Sequence, residues 1–233
     1  MNQQIIETYK SLTRFLGKTL GPNYEVVLHV IDDDEGAHIE EIVNGYISGR
    51  TVDSPLTSYA LDRIQSRDYL YNDYDIHYKV LAKPGHEVYG STFYIKDGDE
   101  LLGLLCINAD QSQFIDKLCD LLRMMPGGSQ TVVDYFSQES SSSNAAIEVL
   151  SSDMSEVIRD SVGEVSDLER LESGYSLTKA EKMAIMRKLK ARGIFNMKGA
   201  IPKVAEFLTV SEPTVYRYLN EIVQEKQDKV ENA

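Results

Sequence analysis

Between residues 200 and 222 the small and apolar positions fall at the intervals of two short helices crossed through a tight turn. Ala205, Leu208, Val210, Val215 and Tyr218 define that pattern, with Leu219 and Ile222 extending it. Pro202 stands in the first turn of the earlier helix, where a missing amide hydrogen removes no helical bond. Val204, Ala205 and Leu208 face inward, and the small Ala205 side chain lets the next helix pass closely. Thr209-Val210-Ser211 forms the turn, Ser211 is placed as an N-cap, and Pro213 is tolerated because first-turn amides have no intrahelical acceptor. Upstream, Thr178-Lys179-Ala180-Glu181 reads as a capping box opening a helix to about Arg192, stopped by Gly193, with Met183, Met186 and Leu189 on its core side. Together these spacings predict a helix-turn-helix. Its turn position that is often glycine is Thr209 here, so a left-handed backbone at that point carries strain.

With the inward residues fixed, Ser211, Glu212, Thr214, Tyr216, Arg217 and Asn220 are left on the outer face of the last helix. Arg217 offers a bidentate donor to guanine, Asn220 suits adenine or a phosphate, and Ser211, Thr214 and Tyr216 offer hydroxyls. Lys198 and Lys203 suit the phosphate backbone. The competing reading is a plain three-helix bundle with a solvated polar face. Charge favours the nucleic-acid reading. The chain as a whole carries −13, but residues 1–174 hold 13 basic and 30 acidic side chains, whereas 175–233 hold 11 and 7. A net of −17 thus gives way to +4, and the window 178–220 alone reaches +6. A basic module on an acidic body is the asymmetry expected of a reader of double-stranded DNA joined to a separate non-DNA domain. The tail from Val223 is polar and poor in strand formers, which argues against a wing.

The preceding chain alternates between helix and strand signals. Ile5, Tyr9, Leu12, Phe15 and Leu16 give an amphipathic helix over Gln4 to Leu20, ended by Gly21-Pro22-Asn23. A hairpin over Tyr24 to Ile31 and His38 to Asn44 follows, with the acidic turn Asp32 to Glu35 at its tip. Ser54-Pro55 suits the start of a helix to about Ser66, and strands are expected at Tyr74 to Ala82, Glu87 to Lys96 and Leu101 to Ala109. Asp97-Gly98 joins the last two as a hairpin. The fold class is therefore α+β: an N-terminal PAS-like five-stranded antiparallel sheet with helices, then an all-α helix-turn-helix domain. The boundaries expected are 1–136 for the sensory domain with a trailing helix over Gln111 to Phe136, and 137–174 for a serine-rich linker and an amphipathic helix. Residues 175–233 form the DNA-binding domain. The apolar face over Ala145 to Glu172 fits packing either on its own domain or on a second copy.

Ile42-Val43-Asn44-Gly45-Tyr46-Ile47-Ser48-Gly49-Arg50, continued through Ser54-Pro55-Leu56-Thr57, resembles the YheO-like PAS family of YheO/DauR-like regulators. Tyr24 to His29 before it and Leu101 to Asn108 after it extend the likeness over about the first 110 residues, and members pair this domain with a C-terminal helix-turn-helix. The resemblance implies a transcription factor, dimeric, whose DNA binding answers to a small metabolite. Tyr46 stands where His is expected in many members.

Candidate sensing residues are the polar groups that alternation turns to the sheet's inner face or that sit in the adjoining glycine-containing loop: His29, Asn44, Ser48, Arg50, Thr57, Tyr94 and Asn108. Each has a plainer role open to it. Asn44 and Ser48 suit loop backbone, His29 a hydrogen-bonded core position, and Arg50 a carboxylate belonging to a ligand or to an acidic neighbour. No catalytic constellation is visible: His29, His38, His77 and His86 lack metal-ligand spacing, and there is no nucleophile elbow or phosphate loop. Neither enzyme activity nor a cofactor is expected. Cys106 and Cys119 read as reduced core thiols, and neither a secretory leader nor a membrane span is apparent, which makes the cytoplasm the expected compartment.

Overall fold

The structure, a computed structural model, describes residues 3–32, 36–83, 86–124, 148–151, 153–162 and 177–231. Helix α1 (Gln3–Leu20) leads into β1 (Tyr24–Val30) and β2 (His38–Val43), then α2 (Ser58–Ser66), β3 (Tyr74–Lys83), β4 (His86–Asp97), β5 (Glu100–Ala109) and α3 (Ser112–Arg123). After these come a short strand β6 (Glu148–Val149) and helices α4 (Met154–Val162), α5 (Lys179–Ala191), α6 (Ala200–Phe207) and α7 (Glu212–Glu231). The sheet order is β2-β1-β5-β4-β3-β6. Strands β1 to β5 pair antiparallel as expected. The sheet nonetheless has six strands rather than five. β6 lies parallel to β3, with Val80 opposite Glu148 and Leu81 opposite Val149, so residues assigned to the start of an amphipathic helix are extended instead. The linker from 137 to 144, the continuation of the trailing helix past Met124 and the rest of the amphipathic pattern from 163 to 172 lie outside the described residues.

Alternation divides β1 between two cores. Val26, Leu28 and Val30 join Ile95 and Leu105 beneath Ile6, Tyr9 and Leu16 of α1, whereas Val27 faces the opposite layer with Leu104, Cys106 and Tyr94. α1 is rotated from its expected setting: Thr13 and Gly17 are buried, and Leu12 and Phe15 are exposed. Two ion pairs, Lys10 with Glu40 at 2.7 Å and Arg14 with Glu41 at 2.6 Å, hold the helix against β2. α2 begins four residues later than Ser54 suggested. Ser54 instead closes a turn with Thr51, accepting its amide at 3.0 Å, and Thr57 caps the helix through the Ala60 amide.

The C-terminal helices follow the expected pattern on their buried faces, although the last of them, expected to end at about Ile222, runs on to Glu231. Thr178 and Glu181 form both halves of the capping box, and Met183, Met186 and Leu189 are buried together with Ile185 and Ile194. Met154, Val157, Ile158 and Val162 turn the apolar face of α4 onto this same cluster, with α4 packed against α5 and α6. The apolar cluster is continuous from Val27 and Tyr94 of the sheet to Val215 and Ile222 of α7.

Candidate nucleic-acid interface and buried polar cluster

Val204, Ala205, Leu208, Val215, Tyr218 and Ile222 are all buried, so α6 and α7 cross on the predicted faces. The turn between them is closed by the Val210 amide donating to Ala205 at 2.9 Å and the Thr209 amide donating to Glu206 at 3.1 Å. Thr209 takes φ 52°, the strained left-handed conformation that its place in the turn demands. The Ser211 hydroxyl meets that of Thr214 at 3.0 Å, while the Thr214 amide donates to the Ser211 carbonyl at 2.9 Å.

Ser211, Glu212, Tyr216, Arg217 and Asn220 are exposed, and Thr214 is half-buried beside them. Arg217 lies over the Tyr218 ring and 3.9 Å from Glu221, which also pairs with Lys179 at 3.1 Å. Such exposed pairs hold a side chain weakly and exchange readily for a phosphate or a base. Lys203, also exposed, pairs with Glu206 at 3.2 Å. Lys198 is exposed and sits before α6; Lys198, Glu212 and Tyr216 share the wall of a cavity of about 610 Å³ with Asp32, Gly36, Ala37, Ile64 and Gln65 of the sheet domain. Helix α7 therefore starts at the seam between the two units.

A second concentration of polar groups lies on the sheet's inner face. Register puts Glu25 opposite Asn108 and Asn108 opposite Gly90, which faces Tyr78 on β3. Glu25 is fully buried. Arg50 donates to its Oε1 at 2.7 Å, Asn108 Nδ2 donates to the same oxygen at 2.9 Å, and the Ser48 hydroxyl donates to Oε2. Ser48 in turn accepts from the Arg50 amide at 3.1 Å. The Thr57 hydroxyl donates to Glu148 Oε1 at 2.6 Å. Along the sheet, the Tyr78 hydroxyl meets Thr92 at 2.7 Å, Thr92 meets Cys106 Sγ at 3.3 Å, and Cys106 lies 3.7 Å from His29 Nδ1. Gly90 makes this row possible, since a Cβ there would collide with the Tyr78 ring.

Electrostatics matches this burial. Desolvation, then the charges of Arg50 and His38, pulls His29 down to about 3, so its imidazole is neutral. Burial first, then the Glu148 charge, pushes the Cys106 thiol up to about 12. Burial also raises Glu148, against the opposing pull of Thr57, Arg50 and Tyr78.

Of the seven sensing candidates, His29, Ser48, Arg50, Thr57 and Asn108 belong to this cluster. Tyr94 is buried beside it and donates instead to Asp75 at 3.2 Å, within a group that includes Tyr59 and Arg63. Asn44 lies elsewhere: at φ 59° it donates to the Gly21 and Tyr24 carbonyls and ties the end of β2 to the turn after α1. Tyr46 is exposed and donates to the Pro22 carbonyl. The sequence reading missed Glu25, Tyr78 and Glu148. Glu25 was legible, because it shares strand parity with Val27 and His29; Glu148 was not, since only long-range pairing brings it to the sheet.

The sequence model of the YheO-like PAS domain matches residues 1–125, and that of an HTH domain matches residues 158–220. An uncharacterized protein of Haemophilus influenzae is 29% identical over 227 residues, spanning 97% of this chain and 95% of its own length. The uncharacterized protein YheO of Escherichia coli is 27% identical over 221 residues, spanning 93% of this chain and 84% of its own, and YheO of Shigella flexneri matches to the same extent.

Proposed function

Since the chain belongs to the YheO-like PAS family and carries an HTH domain, the composition of a DNA-binding regulator rather than an enzyme, we propose that it is a sequence-specific transcriptional regulator whose sheet domain senses a small metabolite. The observation that carries this reading is the division of α7: Val215, Tyr218 and Ile222 are buried, while Glu212, Tyr216, Arg217 and Asn220, with Ser211 just before the helix, form an exposed polar face. On this reading Arg217 and Asn220 contact base edges, with Ser211, Glu212, Thr214 and Tyr216 around them, and Lys198 and Lys203 contact phosphates. The regulator works as a homodimer in the cytoplasm, reading inverted half-sites about one helical turn apart or a multiple of that. Among the described residues no helix is long and apolar enough to cross a membrane.

His29, Ser48, Arg50, Thr57 and Asn108, with Tyr94 beside them, form the sensing site, and Asn44 falls outside it. Supporting this, His29 Nε2 and Asn108 Oδ1 are buried without a hydrogen-bond partner among the described residues. A polar ligand would satisfy both atoms.

A second reading makes the sheet domain a dimerisation module with no small ligand. It draws on the exposed Leu12 and Phe15 of α1, the latter 61% accessible, and on the mutual satisfaction of Glu25, Arg50 and Ser48. A thermal-shift screen of the full chain against a metabolite panel separates the two, since a ligand bound only by the native state raises its melting temperature. The DNA reading is tested by selecting fragments bound by the full chain from a random duplex pool. Enrichment of an inverted repeat is expected. Absence of salt-sensitive attachment to any duplex would refute it.

A further inference from the structure

Glu148 is one of only two residues in β6, yet its side chain is the one from that strand that enters the inner-face cluster. It is 6% exposed, against 50% for its neighbour Val149. Burial and the Glu25 charge disfavour its ionised form, and donors and a positive charge oppose them. The Thr57 hydroxyl donates at 2.6 Å, and the Tyr78 hydroxyl and the Arg50 guanidinium both favour its ionised form. Further along the same face, beyond β3 and β4, are two buried polar atoms with nothing to bond among the described residues, His29 Nε2 on β1 and Asn108 Oδ1 on β5. They are joined to the seat through Cys106, Thr92 and Tyr78 on one side and through Glu25 and Arg50 on the other. The strand carrying Glu148 is two residues long and lies at the sheet edge: it pairs with β3, where the Leu150 amide donates to the Leu81 carbonyl at 2.9 Å, and it packs on α2, with the Leu150 side chain buried against Tyr78 and Val80. Four residues later α4 begins, and α4 packs on α5 and α6 of the DNA-reading unit.

We propose that the seat of Glu148 is the carboxylate subsite of the sheet domain: a small metabolite bearing a carboxylate accepts from Thr57 and Tyr78, displaces the Glu148 side chain together with β6, and meets His29 and Asn108 with its remaining polar atoms. The proposal rests on the reading that this domain senses a metabolite, and it supplies the chemical class of the ligand and its route to the helices. A cation fits the seat poorly, because once Glu148 leaves, Thr57 and Tyr78 present hydroxyl groups and the Arg50 guanidinium offsets the Glu25 carboxylate. Glu148 thus acts as a tethered competitor whose departure loosens the segment leading to α4.

The test is chemical rescue in the full chain. Glu148→Ala vacates the seat, and acetate, matched in ionic strength against chloride, is the probe. The melting temperature of E148A should rise with acetate and not with chloride, the wild type should show no such difference, and adding Thr57→Val should abolish the rise. Equal responses of E148A to acetate and chloride would overturn the proposal. Should E148A not fold, Glu148→Gln is read by hydrogen exchange at the Leu150 amide. Exchange that accelerates in acetate over chloride supports displacement of β6, and equal exchange in the two salts overturns it. Neither readout involves DNA. A chain that is rescued but binds no duplex loses the regulatory reading and keeps the subsite, whereas one that binds DNA without rescue does the reverse.

Discussion

The Ala37 amide donates to the Asn196 carbonyl at 2.7 Å, across the seam between the β1–β2 hairpin and the loop that precedes α6. The Lys198 amide donates back to the Ala37 carbonyl at 3.3 Å, so a single residue of the hairpin bridges both sides of that loop. Beside it Gly36 has φ 76°, and a Cβ there would run into the Asn196 carbonyl.

Gly36→Val should therefore undock the two units, through both the left-handed backbone and the collision. Because their apolar cores are continuous, the wild type is expected to melt in one calorimetric transition and the variant in two. A single transition, unchanged in the variant, would show that the bridge holds nothing together.

Gly90→Ala forces a methyl group against the Tyr78 ring. A loss of about 1–3 kcal/mol is expected from this overpacking, measured by urea denaturation. A neutral result would mean that Tyr78 swings aside freely.

Thr209→Gly removes a β-branched side chain from φ 52°. Relief of strain outweighs the added freedom of the unfolded chain, so stability should rise by roughly 0.5–1 kcal/mol with DNA affinity unchanged. A lower melting temperature would count against strain in this turn.

His29 gives stability a pH dependence of known sign. Its folded value lies near 3, below that of the unfolded chain, so between about 6.5 and 3 the unfolded chain binds one proton more than the native state. The contribution is complete above the unfolded value and declines as pH falls, by about 1.4 kcal/mol per unit. His29→Gln should flatten the stability profile between pH 6 and 5. Parallel profiles for the two proteins would place the titration elsewhere.

Arg217→Ala should relax base preference at one position, with a loss of about 1–3 kcal/mol for the preferred base pair, whereas Lys203→Ala should weaken every duplex alike and lower the salt slope by about one. Competition titrations against specific and random duplexes read both effects. Equal losses on both duplexes in both variants would remove Arg217 from base contact.

The reader was legible in the sequence because its signals are local: a capping box at Thr178 and Glu181, a breaker at Gly193 and apolar residues at fixed intervals from Val204 to Ile222. The antiparallel strands were legible for the same reason, through alternation and the Asp97-Gly98 turn. What sequence reading missed depends on partners far along the chain. Two residues of parallel strand at Glu148 and Val149 have no period of their own, and only the β3 edge makes them a strand. The rotation of α1, which leaves Leu12 and Phe15 outside, is set by Thr13 and Gly17 packing toward the sheet. In the inner-face cluster the donors were visible, but their acceptors Glu25 and Glu148 were not singled out, so the Arg50 partner stayed open until the register was known.

The hairpin bridge at Ala37 has a consequence for comparing and recombining such chains. It is made by main-chain atoms, so with glycine kept at position 36 the exposed side chains of Asn196 and Lys198 can change in relatives without the contact being lost, and covariation between the two halves would be silent about it. A chimera that exchanges one reader for another should therefore tolerate foreign residues at the seam. It should fail when the loop before α6 is lengthened by a residue, which would carry the Asn196 carbonyl out of register with the hairpin.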